Sequence, residues 1–183
     1  MSIRNKIIIP ERGRELGWRE DHELLNQMAD EGWDPIRFDF DRHGLIIEFE
    51  QTPDGQSSKW KYDCNQEGGS SSATIGTVKH YTEDNGLEML FVYRVGVKGA
   101  ERRGGYTRFI SRAPREAESW NPPFEYCGVV ASKVETGFEE VHIEKPPTTH
   151  PQLWELIGTV RSWSENDSDF TGRRLRIYKR LKK

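Results

Sequence analysis

Arginine and lysine residues concentrate in two short windows of this chain. The first window runs from Arg94 to Arg115 and the second from Arg173 to Lys183, and Glu101 is the one acidic residue that they contain. The whole chain carries a formal net charge of −3, so the acidic residues lie elsewhere. Positive charge beside aromatic side chains is typical of proteins that hold a phosphate backbone and stack its bases. The windows therefore favour a polyanion, above all a nucleic acid, as the partner.

Seven residues of these windows are candidates for contacting a nucleic acid. Tyr106 and Arg108 share one face of a predicted strand, because side chains two residues apart point to the same side of a strand. The candidates are Arg102, Arg103, Tyr106, Arg108, Arg112, Arg173 and Arg174. For the first window, a solvated hairpin paired with acids elsewhere is an equally good interpretation. For the second window, a basic C-terminus that only aids solubility is favoured.

A second candidate site combines aromatic side chains with a carboxylate. Trp60 and Tyr62 project from one face of a predicted strand, Asp63 follows them, and Trp120 lies in the next aromatic segment after the first basic window. A flipped base needs aromatic faces on which to stack and an acceptor for its exocyclic amine. These four residues are therefore a candidate base pocket. Packing in the core is the commoner fate of such aromatic residues and stays open as the alternative.

The common catalytic signatures are missing from the sequence. The five histidines are isolated, and no P-loop, G-x-G-x-x-G, G-x-S-x-G or H-E-x-x-H motif occurs. Asp39, Asp41, Glu48 and Glu50 could share one face of a hairpin, as a metal-dependent nuclease would require. A solvated face of that hairpin is the favoured interpretation. We therefore assign no catalytic residue, metal ligand or cofactor, and a non-enzymatic role is favoured.

Hydrophobic periodicity predicts a single α+β domain spanning residues 1–183. It consists of a curved antiparallel sheet or small β-barrel with two flanking helices, and it ends in a basic strand and tail at 173–183. The predicted helices cover residues 19–31 and a segment that begins at Pro151 and ends in the polar residues from Ser164 to Ser168. The predicted strands cover residues 3–9, a hairpin at 36–50, and then 59–63, 74–81, 87–97, 106–111, 124–134, 140–143 and 175–177.

Composition and cysteine usage favour a cytoplasmic protein. Apolar residues make up 34% of the chain and charged residues 31%, and no apolar run is long enough to span a membrane. The N-terminal residues lack the apolar region of a signal peptide. Cys64 and Cys127 lack the spacing of a metal or redox motif, so two buried thiols without a disulfide are expected.

Residues 87–156 resemble a domain of unknown function found at the C-terminus of some superfamily II restriction helicases. The run from Leu87 to Arg94 is similar to that family's LFVR strand, and Phe124-Glu125-Tyr126-Cys127-Gly128 is similar to its aromatic-x-Tyr-x-Gly strand. Glu144-Lys145-Pro146-Pro147 and Leu153-Trp154 resemble the turn and helix start that follow. The resemblance implies a β-barrel of the PUA or SRA-like kind that reads DNA in a restriction or defence setting.

Three hypotheses about function follow. The first is a non-catalytic nucleic-acid-binding module, with DNA favoured over RNA and with a modified or flipped base as one target. The second is a small metal-dependent nuclease that uses the carboxylates of the hairpin. The third is a protein-interaction domain, of the inhibitor or immunity type, whose acidic face docks on a basic partner.

Overall fold

The computed structural model describes residues 3–10, 17–67, 71–96, 105–134, 137–142, 154–161 and 174–182. Within these ranges the chain forms ten β-strands and two α-helices, an α+β fold as predicted. The chain divides into two compact units, Met1–Asn65 with Ile110–Trp120, and Gln66–Phe109 with Asn121–Lys183. Whether residues 1–183 act as one domain stays a prediction.

The bounds of the helices and strands agree with most of the predicted segments. They are β1 (Arg4–Ile9), α1 (Gly17–Asp30), β2 (Trp33–Asp41), β3 (Gly44–Gln51), β4 (Trp60–Glu67), α2 (Ser71–Glu83), β5 (Glu88–Gly96), β6 (Gly105–Pro114), β7 (Phe124–Val134), β8 (Gly137–His142), β9 (Glu155–Arg161) and β10 (Arg174–Leu181).

The first unit contains a three-stranded antiparallel sheet with the strand order β1-β3-β2. Its central part is the predicted hairpin of β2 and β3, and alternation buries Leu45, Ile47 and Phe49 on one face. Helix α1 packs against β2 and buries Leu25 and Met28. The amphipathic patterns of β3 and of the first helix are thus confirmed, because each hydrophobic stripe has an apolar surface to cover. In β2, Ile36, predicted on the apolar face, is 44% exposed, because the pairing with β3 shifts register between Pro35 and Arg37.

A second sheet has seven strands in the order β4-β6-β5-β9-β10-β7-β8, and the unit boundaries fall within β4 and β6. The β7–β8, β7–β10 and β9–β10 pairs are antiparallel, whereas β5 and β9 are parallel. Its buried apolar cluster includes Val92, Phe109, Leu175 and Ile177, and Ile75 of α2 packs with them. Over the described residues, the strands therefore form two mostly antiparallel sheets and no closed barrel.

Residues 74–81, predicted as a strand, lie in helix α2 instead. Their β-branched side chains favour a strand, but Ile75, Val78 and Thr82 are all buried, at spacings of three and four residues that match a helix. The helix packs against β5 and β7, where these side chains complete the core. The gain from burial outweighs the weak intrinsic preference of these residues for a strand.

The segment that begins at Pro151, predicted as a helix, contains strand β9 instead. Ile157 and Val160 are both buried, and their spacing of three residues suits a helical face. The helix cap predicted at Thr149 or His150 lies outside the described residues. Of the two predicted flanking helices, only the first is therefore where the sequence indicated, and α2 is the second helix in the described part of the chain.

A β-bulge explains why the buried apolar residues of β9 have the spacing of a helix. Ile177 of β10 pairs with Gly158, but the next residue, Tyr178, pairs with Leu156, so Ile157 is an extra residue in the ladder. A bulge of this kind shifts the alternation of side chains by one residue. The bulge residue Ile157 and Val160 are therefore both buried although they lie three residues apart, whereas Leu156 on the other side of the bulge is 51% exposed.

The basic second window is an interior strand of the seven-stranded sheet, not a free tail. β10 pairs with β9 on one side and β7 on the other. Lys179 is buried with its Nζ atom 3.1 Å from a carboxylate oxygen of Glu88, and the Nε atom of Arg180 donates a hydrogen bond to Glu125. At least these two cations of residues 173–183 are therefore neutralised within the fold.

The structure also bears on the two cysteines and on membrane-spanning helices. Cys64 and Cys127 are buried, and no disulfide joins them. Neither of the helices in the described ranges is both long enough and apolar enough to cross a membrane.

Candidate nucleic-acid interface

Lys59, Trp60, Arg112 and Trp120 form a compact group in the first unit, called here the Trp60 cluster. The guanidinium carbon of Arg112 lies 3.9 Å from the centroid of the Trp60 ring. The Trp60 and Trp120 ring centroids are 5.5 Å apart with an interplanar angle of 58°, and the Lys59 Nζ atom is 5.2 Å from the Trp60 centroid. Lys59 is exposed and the other three side chains are partly exposed. Two indoles and two cations thus meet at the surface.

Arg115 holds the start of β4, and with it the Trp60 cluster, in place. Its Nε atom donates a hydrogen bond to the carbonyl oxygen of Trp60 at 2.9 Å, and its backbone N–H donates to the carbonyl oxygen of Lys59 at 2.9 Å. Its Nη2 atom lies 2.6 Å from a carboxylate oxygen of Asp30, the last residue of α1. A carboxylate at a helix C-terminus is unfavourable by itself, so the ion pair offsets that cost. Arg115 is thus a positioning residue that sequence reasoning missed.

Tyr62, two residues after Trp60 on β4, lies in the core. Its side chain is fully buried, and its hydroxyl donates a hydrogen bond at 2.9 Å to Asp34, which also accepts one from the hydroxyl of Ser58. The side chain of Asn26 pairs with the backbone of Tyr62 through two hydrogen bonds of 2.8 and 3.0 Å. Burial, followed by the Asp34 carboxylate, raises the pKa of Tyr62 well above its ordinary value. Packing in the core, the alternative left open by the sequence, therefore describes this residue.

Asp63 and His22 form a partly exposed pair next to the buried Tyr62. The Nδ1 atom of His22 on α1 lies 3.3 Å from a carboxylate oxygen of Asp63. The carboxylate thus has a partner within the fold. Of the four residues of the predicted base pocket, the structure brings Trp60 and Trp120 into ring contact.

The predicted backbone-contacting residues have different surroundings. Arg112 belongs to the Trp60 cluster, whereas Arg108 is 2% exposed and its Nε atom donates a hydrogen bond to the Gln66 side chain at 2.9 Å. Tyr106 is 42% exposed. Arg174 begins β10, with only its backbone described. The remaining candidates lie outside the described residues and stay predictions; they are Arg102, Arg103 and Arg173.

The carboxylates of the β2–β3 hairpin have partners within the three-stranded sheet. Glu48 lies 3.7 Å from Arg37, and Glu50 lies 3.5 Å from Arg4. The side chain of Asp41 accepts a hydrogen bond from the backbone N–H of His43 at 2.7 Å in the turn, and Asp39 accepts one from Phe40 at 2.8 Å. In the part of the chain that the structure describes, no three His, Cys, Asp or Glu side chains converge to hold a metal ion. The geometry therefore adds no support to the nuclease hypothesis.

In comparisons with known proteins, no family model, curated protein or solved structure matched this chain significantly. The two best-defined pieces of the resemblance seen in the sequence lie on β5 and β7. The PUA or SRA-like assignment stays a prediction.

Proposed function

We propose that this protein binds nucleic acid through the Trp60 cluster, with DNA favoured over RNA. The observation that carries the proposal is the stacking of the Arg112 guanidinium on Trp60, with Trp120 beside them at a partly exposed surface. Stacked indole and guanidinium planes are the groups on which unpaired bases pack, and the adjacent cations attract phosphates.

Each residue of the cluster has a distinct role in this proposal. Trp60 holds the guanidinium of Arg112 over its ring, which limits the side-chain entropy that Arg112 loses on binding. The ring of Trp120, beside the pair of Trp60 and Arg112, receives a base. Lys59 and Arg112 supply the charge that attracts the backbone.

The sequence resemblance suggests a narrower version of the proposal. In that version the protein is a non-catalytic PUA or SRA-like module that acts in the cytoplasm within a restriction or defence system. The Trp60 cluster would then receive a flipped or modified base, because extrusion of a base requires an aromatic surface that replaces its lost stacking.

Binding of fluorescent oligonucleotides over a salt series tests the proposal. Plain single-stranded DNA, duplex DNA, base-modified DNA and RNA would be compared by anisotropy for the wild-type chain and two variants. We expect Trp120→Ala to weaken binding about tenfold, since stacking contributes about 1–3 kcal/mol per base. Arg112→Gln should also lower the slope of log affinity against log salt by about 1. An Arg102→Gln/Arg103→Gln variant tests the sequence-predicted part of the interface in the same assay.

Trp18 and Arg19 provide a matched control within the same unit. The guanidinium of Arg19 lies 4.9 Å from the centroid of the Trp18 ring, so Trp18→Ala and Arg19→Gln remove the same chemical groups elsewhere. These variants should bind like the wild-type chain. Absence of binding at about 50 mM salt, or equal losses in both sets of variants, would refute the proposal.

A further inference from the structure

Arg94 is a half-buried cation whose Nε–H group has no hydrogen-bond partner among the described residues. It lies near the end of β5, and its buried Nε–H finds no acceptor. Burial lowers the pKa of Arg94 below its ordinary value, because desolvation disfavours the charged form. A charge removed from water without a counter-charge is costly, and nearly all buried polar groups in proteins are satisfied. The Nε–H group of Arg94 therefore needs an acceptor from outside the described chain.

Thr107 is a second polar side chain without a partner in the same region. It lies on β6, is 2% exposed, and its buried hydroxyl makes no hydrogen bond with the described residues. An enclosed hydroxyl without a partner destabilises a protein relative to one that makes a hydrogen bond. Thr107 lies on the strand next to the one that carries Arg94.

Strand geometry places the two residues at one end and on one face of the sheet. β5 and β6 are neighbours in the sheet and follow each other in the chain, so they form an antiparallel pair. Glu88 lies 3.1 Å from Lys179, which lies at an even spacing along β10 from Leu175 and Ile177 of the buried cluster. Val92 of that cluster lies an even number of residues from Glu88. Val92 on β5 and Phe109 on β6 therefore mark the side of each strand that points to the core. Arg94 and Thr107 each lie two residues from these markers, toward the segment that connects the strands. Since side chains alternate, both belong to this face.

We propose that Arg94 and Thr107 form a phosphate-binding site in the second unit. The guanidinium supplies charge and paired N–H donors, a geometry that fits a phosphate group, and the hydroxyl donates a third hydrogen bond. The proposal does not depend on the Trp60 cluster, because other residues of another unit carry it.

Titration of the full-length chain with inorganic phosphate and with dimethyl phosphate tests this site. The readouts are the NMR signal of the Arg94 Nε–H group and the dissociation constant of the complex with each phosphate. We expect that signal to shift on binding, and we expect Arg94→Gln and Thr107→Val each to weaken binding at least fivefold. Binding of dimethyl phosphate identifies the source as a nucleic acid backbone, whereas binding of inorganic phosphate alone identifies a free phosphate or a monoester.

Controls distinguish a site from a structural defect. Arg37→Gln removes an exposed arginine of the other unit and should leave phosphate binding unchanged. Thr107→Val keeps the shape of the side chain, so the ligand-free protein should be at least as stable as the wild type. Arg94→Lys keeps the charge but loses the paired donors, and it should weaken binding even if Arg94→Gln fails to fold.

Unchanged affinity in Arg94→Lys and Thr107→Val, or no shift of the Arg94 signal with either phosphate, would overturn the site. Because the variants of the Trp60 cluster are tested separately against oligonucleotides, failure here leaves the proposed function standing. Failure of oligonucleotide binding likewise leaves a free-phosphate site standing.

Discussion

Arginines that look equivalent in the sequence of the first basic window differ once the chain has folded. Arg108 is buried against Gln66, Arg112 stacks on Trp60, and Arg115 joins the Trp60 carbonyl to Asp30. The guanidinium group permits all three because it is planar, carries several donors and is weakly hydrated. A count of positive charges therefore overstates how much of the window is available to a ligand.

Tyr62 provides a test at the level of one hydrogen bond. Tyr62→Phe removes the donor to Asp34 and leaves that carboxylate with one partner fewer in a buried site, so we expect the free energy of unfolding to fall by about 1.5–3 kcal/mol at pH 7. Chemical denaturation measures the difference. Tyr106→Phe, at a side chain that is 42% exposed, should change the value little.

The raised pKa of Tyr62 also predicts how stability depends on pH. Above the ordinary tyrosine value of 10.0, the unfolded chain loses this proton while the folded chain retains it. The unfolded state then binds fewer protons, so the stability contributed by Tyr62 is complete below that pH and falls as the pH rises. Denaturation between pH 8 and about pH 11 should show a smaller decline for Tyr62→Phe than for the wild type. Equal declines would contradict this assignment.

Strand β9 shows how one element is fixed by its neighbours. Gly158 pairs with Val92 across the parallel β5–β9 contact, and a Cβ atom at this position would lie 2.0 Å from the Val92 carbonyl oxygen. Glycine is therefore required by the close approach of two backbones. The bulge at Ile157 occurs next to this point, so the register of β9 and its contact with β5 are set together.

Replacement of Gly158 by alanine should separate β9 from β5. We expect Gly158→Ala to lower the free energy of unfolding by about 3 kcal/mol, because a backbone carbonyl cannot move aside as a flexible side chain can. Gly76→Ala on helix α2 is the matched control, since nothing lies within 4 Å of the place that the new methyl group would occupy. That variant should gain about 0.5–1 kcal/mol. Thermal and chemical denaturation of both variants check the contrast.

For the whole molecule, the sign of the local charge is a poor guide to what a segment does. The C-terminal window has seven cations and no acid in the sequence, yet it forms an interior strand with Lys179 and Arg180 paired to acids. Burial of an ion pair costs desolvation, and removal of one partner costs more than removal of both. These cations are thus needed by the fold before any partner binds.

Deletion of residues 174–183 should consequently unfold the second unit. β10 supplies hydrogen bonds to both β7 and β9 and buries Leu175 and Ile177 completely. We expect a loss of β-sheet signal in circular dichroism and of cooperative unfolding. Deletion of residues 182–183 alone, beyond the end of β10, should preserve both signals. A truncated chain that unfolds like the wild type would show that the window is a dispensable tail.

The sequence by itself determined the elements whose apolar residues keep one period. The alternation in β2 and β3, the dense β-branched and aromatic runs of β5 and β7, and the amphipathic stripe of α1 each predict the observed element. It also indicated that Trp60 and Trp120 belong to an aromatic site, although it left core packing open. Local side-chain periodicity suffices in these cases, because one face of each element must be buried whatever it packs against.

The tertiary structure alone decided α2, β9 and the fates of the charged residues. The β-branched α2 segment becomes a helix through its fit to β5 and β7, and the bulge in β9 disrupts the alternation that would have identified a strand. The partner of each cation depends on strand order, which brings together residues far apart in sequence, such as Lys179 and Glu88. Sequence spacing carries no such information, because long-range pairing depends on how whole elements pack.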